Sequence, residues 1–229
     1  MMKKIIFAII TTMILVPAVL AVSDKAKEPL DKVTFIHYAD ETLKLTGKAA
    51  KSPTCYKLMN VKWNSLPVSY TINPTNPQGL SKEFVTSSIS TSAETWDAAT
   101  SRELFNNVYR VDYTAQYGVQ DYKNAIAFGD YSNSGVIAIT TVWYTRWSRQ
   151  IVEFDMLFST KFSWGNADLD STKMDLQNIA THELGHAVGL DDIYTTSCTA
   201  VTMYGYSHYG ETQKRDLEQP DITGLQKLY

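Results

Sequence analysis

The segment THELGHAVGLDD, residues 181–192, limits the fold of this chain more than any other part of the sequence. His182 and His186 are four residues apart, so a helix would place both imidazoles on one face. Glu183 follows the first histidine. Gly189 suits the end of such a helix, because glycine adopts the left-handed conformation without steric cost. The spacing predicts a helix that stops at this glycine and lets the chain turn back toward its own histidines.

A third side chain able to bind a metal ion follows three residues after the glycine. Asp192 lies six residues beyond the second histidine, so the returning chain can bring its carboxylate to the same ion. Imidazole and carboxylate groups are accepted zinc ligands, and three protein ligands with an open fourth position are typical of catalytic sites. We predict one catalytic zinc ion bound by His182, His186 and Asp192, with Glu183 beside it as the general base.

Other residues give weaker signals for the same site. His208 is the alternative third ligand. Asp191 is predicted to be a solvated neighbour or a hydrogen-bond acceptor, although a shift of the ligand position by one residue would make it the ligand. His37 is predicted to be an ordinary surface residue. The structural alternative is that the paired histidines only pack within a helix and bind no metal.

The N-terminal residues carry a targeting pattern. Lys3 and Lys4 precede an apolar run over residues 5–22, and small residues end that run. This pattern predicts a secretory signal peptide over residues 1–21, with an uncleaved membrane anchor as the alternative. We therefore expect a secreted protein without stable membrane association, or a cell-surface protein if the segment is retained.

Export makes the two cysteines informative. Cys55 and Cys198 are the only cysteines in the chain, and an oxidising compartment favours their pairing as a disulfide. The alternative is that Cys55 binds the metal as a thiolate in a latent form. The net charge of −3 and the lack of a basic cluster argue against a nucleic-acid partner.

Periodicity and turn signals divide the rest of the chain. Residues 22–55 have little periodicity and are interpreted as a propeptide, a stalk or a loosely packed extension, and residues 56–229 as the compact domain. A helix is predicted over residues 81–100, with Ser81 as its cap, and another from about Thr172 to Gly189, where Thr172 and Asp175 have capping-box spacing. A short helix is predicted from Ile222. Strands are predicted over residues 66–73, 108–113, 124–129, 135–144 and 150–158, which makes the fold class α+β.

The full motif H-E-x-x-H-x-x-G-x-x-D resembles the metzincin signature. Metzincins carry a methionine turn beneath the metal, and Met203 stands at a matching place after the motif. Within this class the chain is similar to the matrixins over about residues 61–229. Asp192 replaces the histidine of most matrixins and resembles the aspartate of snapalysin-type proteases, while Gly205 replaces a usual proline. The segments that carry the resemblance are VKWNSLPVSYTIN, AETWDAAT, NAIAFGDYSNSGVIAITTVWY, IVEFDMLFSTKFSWG and QPDITGLQKLY.

The resemblance implies a twisted, mixed five-stranded sheet with two long helices, an active-site helix and a short C-terminal helix. It also implies a monomeric zinc endopeptidase that acts on polypeptide substrates. An extended substrate would pair with the edge strand that contains Ile137 and Ile139, and Tyr204 and Tyr206 would wall the specificity pocket. The family often binds structural calcium, for which the candidate ligands are Glu153, Asp155, Asp168 and Asp170.

Two other functions are compatible with the motif. One is an exported or membrane-anchored protein that keeps the zinc site with little proteolytic turnover. The other is an exported zinc hydrolase of a non-peptide bond. The intact Glu183 disfavours the first alternative, and the matrixin-like edge strand disfavours the second.

Overall fold

The computed structural model of the chain describes residues 28–39 and 54–229. The predicted signal peptide, residues 1–21, lies outside these ranges. Within the two ranges, no helix is both long enough and apolar enough to cross a membrane.

A mixed sheet of seven strands forms the centre of the described part of the chain, in the order β3-β2-β4-β6-β5-β1-β9. A separate pair of short parallel strands, β7 and β8, lies beyond it. The strands in chain order are β1 (Leu30–Ala39), β2 (Thr71–Ile72), β3 (Arg110–Val111), β4 (Ala125–Gly129), β5 (Val136–Thr145), β6 (Ile151–Ser159), β7 (Trp164–Gly165), β8 (Met174–Asp175) and β9 (Tyr206–Ser207).

The five strands predicted from the sequence correspond to β2 to β6, which are neighbours in this sheet. The strands predicted over residues 66–73 and 108–113 are each only two residues long in the structure. In the first of them, Val68 makes only an isolated bridge to Phe105 before regular pairing begins. The two additional strands come from segments for which no strand was predicted. β1 belongs to the N-terminal extension, and β9 follows the methionine turn.

Three helices pack with the sheet: α1 (Lys82–Asp97), α2 (Leu176–Ala187) and α3 (Gln219–Leu228). The predicted cap of α1 is confirmed, since the Ser81 hydroxyl accepts a hydrogen bond from the Phe84 amide. The predicted start of α2 at Thr172 is wrong. The chain first forms β8, and the Asp175 side chain then caps the helix by accepting from the Asn178 amide.

Helix α3 begins three residues before the predicted Ile222, because a capping box forms there. Glu218 and Asp221 exchange side-chain and backbone hydrogen bonds, and a proline occupies the first turn.

Helix α1 holds α2 in place through the core. The indole of Trp96 is completely buried and donates to the Thr181 carbonyl at 2.8 Å. Thr181 also bonds the Ser92 hydroxyl at 3.0 Å, so both contacts fix α2 one residue before the first motif histidine. Burial of a large aromatic side chain contributes about 2–3 kcal/mol, so this anchor fixes the position of α2 firmly.

Strand β1 shows that residues 28–39 of the extension are tightly packed. It runs antiparallel to β5, from Leu30 opposite Thr145 to Tyr38 opposite Val136, and its last two residues pair in parallel with β9. The expectation of a loosely packed extension is therefore wrong for these residues. Because β1 covers the free edge of β5, the predicted edge strand is an inner strand of this sheet.

Candidate metal centre and active site

Helix α2 and the turn after it bring the predicted ligands together. Gly189 has a φ of +101°, and a Cβ atom there would lie 2.3 Å from the Val61 carbonyl oxygen, so both conformation and space require glycine. The Leu190 amide bonds back to the Gly185 carbonyl at 2.9 Å. The chain then delivers Asp192 to the face of the helix that carries the histidines.

The three predicted ligand atoms have the spacing of a zinc site. Oδ1 of Asp192 lies 3.2 Å from Nε2 of His182 and 3.4 Å from Nε2 of His186. Ligands bound tetrahedrally to zinc at about 2.0–2.1 Å stand about 3.3–3.4 Å apart. The distances therefore match two edges of such a tetrahedron.

The same three atoms are buried and have no hydrogen-bond partner within the described ranges. Each histidine uses its other nitrogen to bond a backbone carbonyl, His182 to Thr202 at 2.8 Å and His186 to Leu190 at 2.9 Å. A carbonyl can only accept, so Nδ1 carries the proton and Nε2 offers its lone pair. Unpartnered buried polar atoms are costly, and a bound cation would remove that cost. The residues therefore fit a zinc ion.

Tyr194 orients the third predicted ligand, Asp192. Its hydroxyl donates to Oδ2 of Asp192 at 3.0 Å, which leaves Oδ1 facing the histidines. Burial and the neighbouring Asp192 raise the pKa of Tyr194, so it stays a donor. Burial alone would raise the pKa of Asp192, but the His186 and His182 imidazoles hold it well below its ordinary value. The role of Tyr194 depends on the turn between residues 192 and 194, for which the motif gave no signal.

Glu183 is completely buried beside the cluster. Its Oε1 lies 3.1 Å from Nδ1 of His37, and its Oε2 accepts a hydrogen bond from the Thr140 hydroxyl at 2.5 Å. Burial alone would raise the pKa of Glu183, but the His37 hydrogen bond and the His182 imidazole lower it. The group is therefore an ionised carboxylate, as a general base must be.

The prediction that His37 is an ordinary surface residue is wrong, because its side chain is 1% exposed. Its Nε2 lies 3.0 Å from the Ser207 hydroxyl, and its ring centroid lies 4.0 Å from that of His182. Burial and the neighbouring His182 lower the pKa of His37 to about 4, so the ring is neutral. Two residues earlier, Phe35 stacks on the His186 ring at 3.9 Å. In the sequence, the only sign of this arrangement is the two-residue spacing of Phe35 and His37, which places both side chains on the same face of a strand.

Met203 lies beneath the helix between the two histidines. A Cβ atom on Gly185 would meet its sulfur at 2.2 Å, so the methionine packs directly against α2. Asp221 accepts the Thr202 and Met203 amides at 2.9 and 3.2 Å, which fixes the turn. Met203 therefore packs against the helix beneath the histidines, and its role as a floor to the site stays a prediction.

Residues 62–229 match the matrixin family of peptidases. The chain belongs to the matrixin family. A human relative, neutrophil collagenase, is 27% identical over 172 residues, which are 74% of this chain and 34% of the collagenase. The chain thus spans about a third of the length of that relative. Matrixins are a family of zinc metalloendopeptidases with an α+β metzincin fold, and the mixed sheet and helices of this chain agree with that fold class.

The departure of this matrixin at Gly205 has a structural reason. A Cβ atom at this position would lie 2.3 Å from the Tyr194 ring, and the Gly205 amide donates to the Ile193 carbonyl at 3.0 Å. A proline would clash with Tyr194 and lose the donor. Gly205 therefore leaves the space that the Tyr194 ring needs to orient Asp192.

The two predicted wall tyrosines line a cavity of about 200 Å³. Tyr204 and Tyr206 are almost fully buried, and their ring centroids are 5.8 Å apart. The buried Lys214 ammonium lies close by and bonds the Tyr206 carbonyl and Glu211, each at 2.6 Å. The cavity is lined by Thr199, Tyr204, Tyr206, Ser207, His208, Glu211 and Gln213.

Four other predicted residues are not part of the ligand cluster. Ile137 and Ile139 are buried on β5, with Ile139 opposite Ile36 of β1. His208 is not among the clustered ligands, and its Nδ1 bonds the Tyr209 carbonyl at 3.0 Å. Asp191 pairs with Lys57 at 2.7 Å and is not in the cluster either. Asp192 is therefore the carboxylate at the site.

The four calcium candidates have separate partners. Glu153 accepts the Asp121 and Tyr122 amides, and Asp155 accepts the Gly118 and Ala125 amides. Asp168 pairs with Arg215, while Asp170 accepts the Thr172 amide. None of the four belongs to a group of metal-binding side chains within the described ranges. Calcium remains an expectation from the family.

The predicted disulfide is present between Cys55 and Cys198, whose Cα atoms are 5.5 Å apart. It ties the start of the domain to a 3-10 turn, Thr196–Cys198, that follows the metal-ligand loop. Cys55 is thus engaged in a disulfide and does not act as a latency thiolate in this structure.

Proposed function

We propose that this chain is a secreted zinc endopeptidase in which His182, His186 and Asp192 hold one zinc ion and Glu183 is the general base. One observation carries the proposal. Three buried ligand atoms, which have no hydrogen-bond partner in the described part of the chain, stand at tetrahedral spacing beside an ionised carboxylate. A structural zinc site would use four protein ligands, whereas this cluster has three.

When bound, zinc supplies Lewis acidity that lowers the pKa of a water molecule and polarises a peptide carbonyl. Glu183 takes the proton from the attacking water and later delivers it to the departing amine. The Thr140 hydroxyl holds Oε2, so Oε1 is the oxygen that receives the proton once His37 has moved away. The carbonyls of Thr202 and Leu190 keep both histidines in the tautomer that binds metal.

Peptide substrates would bind in extended form along β5, near Ile137 and Ile139. Backbone pairing with a strand tolerates many sequences, which suits an endopeptidase. A substrate side chain would enter the cavity between Tyr204 and Tyr206. The disulfide favours an oxidising compartment and so supports secretion.

The test compares wild type, Glu183→Ala and Glu94→Ala, a matched loss of a glutamate exposed on α1. Zinc content, melting temperature and cleavage of casein are measured with and without a chelator. Glu183→Ala is expected to keep zinc and lose about a hundredfold or more in rate, while Glu94→Ala stays near wild type. Near-normal cleavage by zinc-loaded Glu183→Ala would contradict the general-base role. No chelator-sensitive cleavage by wild type would favour a zinc-site protein without turnover or a hydrolase of another bond.

A further inference from the structure

We propose that a pocket beside the turn between β5 and β6 binds a sulfate or phosphate group, as the free ion or as an ester on a soluble polysaccharide. This pocket, which we call the cationic pocket, has a volume of about 270 Å³. It shares no residue with the proposed ligand cluster, so the two sites can be tested separately. Its polar side chains belong to Asn60, Lys62, Asn64, Ser148, Arg149 and Lys227.

The cationic pocket carries positive charge that no nearby carboxylate balances. Lys62, Arg149 and Lys227 line it, and no acidic residue of the described ranges does. These three side chains also form no ion pair within residues 28–39 and 54–229. The neighbouring Arg146, by contrast, pairs with Asp31 at 2.7 Å. Cations that converge without a counter-ion attract anions, even in a chain whose net charge is −3.

Two residues of the cationic pocket have a backbone conformation that residues other than glycine rarely adopt. Asn60 and Arg149 both have a φ of +57°, and they are two of only three non-glycine residues with a positive φ in the described ranges. Asparagine tolerates this conformation, whereas arginine adopts it at an energetic cost that glycine would avoid. Such outliers persist where surrounding contacts hold them, and they cluster at functional sites. The conformation of Arg149 therefore points to a role for its side chain.

The guanidinium of Arg149 is held in place before any ligand binds. Its Nη2 donates to the Met59 carbonyl at 3.0 Å, and its Nε donates to the Asn60 carbonyl at 3.3 Å. The same group lies over the Tyr144 ring, 4.5 Å from the ring centroid. A guanidinium has five N–H donors in a planar fork, so further donors remain for the paired hydrogen bonds that oxyanions accept. A cation fixed in this way loses little conformational freedom on binding.

The two lysines come to the cationic pocket from different parts of the fold. The Lys62 amide donates to the Arg149 carbonyl at 3.3 Å, which ties the first lysine to the turn. Its ammonium donates to the Leu228 carbonyl at 3.1 Å, and an ammonium group has two further donors. Helix α3 supplies Lys227, whose ammonium lies 5.7 Å from the centroid of the Tyr56 ring. Three separate segments of the chain thus bring cations to one pocket.

The turn beside the cationic pocket already holds one oxyanion of the chain itself. The Glu28 carboxylate accepts the Trp147 amide at 2.5 Å and the amide and hydroxyl of Ser148, both at 2.7 Å. Successive amides in a turn form concavities that bind anions, and here a carboxylate fills one. The donors of Ser148 are therefore engaged, so a further anion would bind to the three cations.

The same carboxylate disfavours a membrane as the partner. Trp147 is 72% exposed at the turn, but Glu28 and Asp31 lie next to it. An anionic lipid surface would meet both carboxylates together with the cations. A single ester group on a soluble polysaccharide can enter the cationic pocket without such repulsion.

The first experiment titrates inorganic phosphate and sulfate into the isotope-labelled full chain at constant ionic strength, with chloride as the balancing ion. The amide resonances of Lys62 and Arg149 should shift and saturate. The double variant Lys62→Gln/Lys227→Gln should raise the Kd about tenfold or more, because it removes two charge-assisted contacts. Lys123→Gln is the control, since it removes an exposed lysine elsewhere on the surface, and should match wild type. Shifts that do not saturate, or equal Kd values in all three proteins, would overturn the proposal.

Arg149→Gly separates the side chain from the backbone of the turn. Glycine adopts a positive φ without steric cost, so the variant should fold, which the dispersion of its amide resonances will show. Loss of the guanidinium should raise the Kd for phosphate about tenfold or more. An unchanged Kd in the folded variant would contradict the part assigned to Arg149 and, with it, the proposal.

A sulfated octasaccharide prepared from heparin distinguishes the two sources of the anion. An ester ligand predicts that wild type binds the octasaccharide about tenfold or more tightly than inorganic sulfate, because several esters share one chain, and that Lys62→Gln/Lys227→Gln loses this gain. Equal affinity for the two probes, still sensitive to the double variant, would support the free ion as the ligand. Octasaccharide binding that the double variant leaves intact would reject the polysaccharide. Phosphatidylcholine vesicles with and without phosphatidylglycerol complete the test. Binding to the anionic vesicles alone, abolished in the double variant, would assign the pocket to a membrane and overturn the proposal.

Discussion

Two regions meet at Glu183 and are built in opposite ways. The first is the ligand segment, residues 176–194, in which helical spacing and one glycine bring three ligands together over a short stretch of chain. The second is the covering strand β1, whose His37 contacts Glu183 across 146 positions of sequence. The ligand segment carries the proposed metal ligands, and the covering strand lies over the proposed general base.

The two regions also differ in how they are held. The ligand segment is buried and fixed by backbone contacts, such as those of His182 and His186 to carbonyls. The covering strand is fixed at one end by exposed charged side chains, Asp31 and Arg146. Exposed ion pairs contribute about 1 kcal/mol or less each. Changes in the first region should therefore alter metal binding, and changes in the second should alter how far Glu183 is exposed to solvent.

The largest effect is expected from His186→Ala, which removes one of three proposed ligands. Zinc content should fall from about one ion per chain to almost none, because two remaining ligands do not hold a catalytic zinc ion. Metal analysis of the purified protein checks this result, with His208→Ala as a matched histidine control. Equal zinc in His186→Ala and wild type would place the metal elsewhere.

Removal of the disulfide should separate stability from metal binding. Cys55→Ser/Cys198→Ser is expected to lower the free energy of unfolding by about 2–5 kcal/mol, since the bond closes a long loop. Denaturant unfolding measures the loss. Zinc content of the folded double variant should remain normal, because neither cysteine is in the ligand cluster. Loss of zinc from the folded double variant would mean that the disulfide is needed to hold the zinc ligands in position.

Gly189→Ala tests the turn that brings Asp192 back to the two histidines. The new Cβ atom would meet the Val61 carbonyl, and the residue has a positive φ. We therefore expect the free energy of unfolding to fall by more than about 2 kcal/mol. Gly79→Ala is the control, because Gly79 also has a positive φ but open space around it. Gly79→Ala should lower the free energy of unfolding by about 1 kcal/mol. Equal melting temperatures for the two variants would show that the contact with Val61 is unimportant.

The smallest effect should come from Asp97, which lies at the end of α1 outside both regions. Its Oδ1 accepts the Leu104 and Phe105 amides, and its Oδ2 has no hydrogen-bond partner among residues 28–39 and 54–229. Burial raises the pKa of Asp97 from 3.8 to about 6. Between these values the folded protein binds more protons than the unfolded chain, so stability falls as pH rises. Asp97→Asn keeps the acceptor and removes the titration.

Unfolding free energies of wild type and Asp97→Asn should therefore diverge between pH 4 and pH 6. The variant should be more stable by about 1 kcal/mol at pH 7, less than the full shift implies because water reaches part of the side chain. Asp112→Asn is the exposed control, since hydrogen bonds from Thr114 lower the pKa of Asp112. Parallel pH curves for wild type and Asp97→Asn would contradict this assignment.

The sequence was sufficient for the parts of the site in which ligands are close along the chain. Helical spacing predicted that His182 and His186 share a face, and the conformational freedom of Gly189 predicted the turn to Asp192. The expectation of an exported chain with two cysteines predicted a disulfide, and the structure contains it. Strands β2 to β6 were also predicted, because their apolar runs are bounded by turn residues.

The sequence was insufficient wherever a residue acts through a distant partner. His37 is polar and lies in a segment with little periodicity, and only the pairing of β1 with β5 buries it against Glu183. The Tyr194 contact depends on a turn whose shape the motif does not specify. Thr172 has cap spacing with Asp175, yet β8 forms there because Trp164 pairs with Met174. In each case a tertiary contact overrides the local pattern.

The most direct test of the central claim is anomalous scattering at the zinc edge from crystals of the zinc-loaded full chain. We predict one peak at about 2.0–2.2 Å from Nε2 of His182, Nε2 of His186 and Oδ1 of Asp192, with β1 lying along β5 above it. The same map would locate the His37 ring relative to Glu183. A peak away from these three atoms would contradict the metal centre, and an open β5 edge in the full chain would contradict the covering strand.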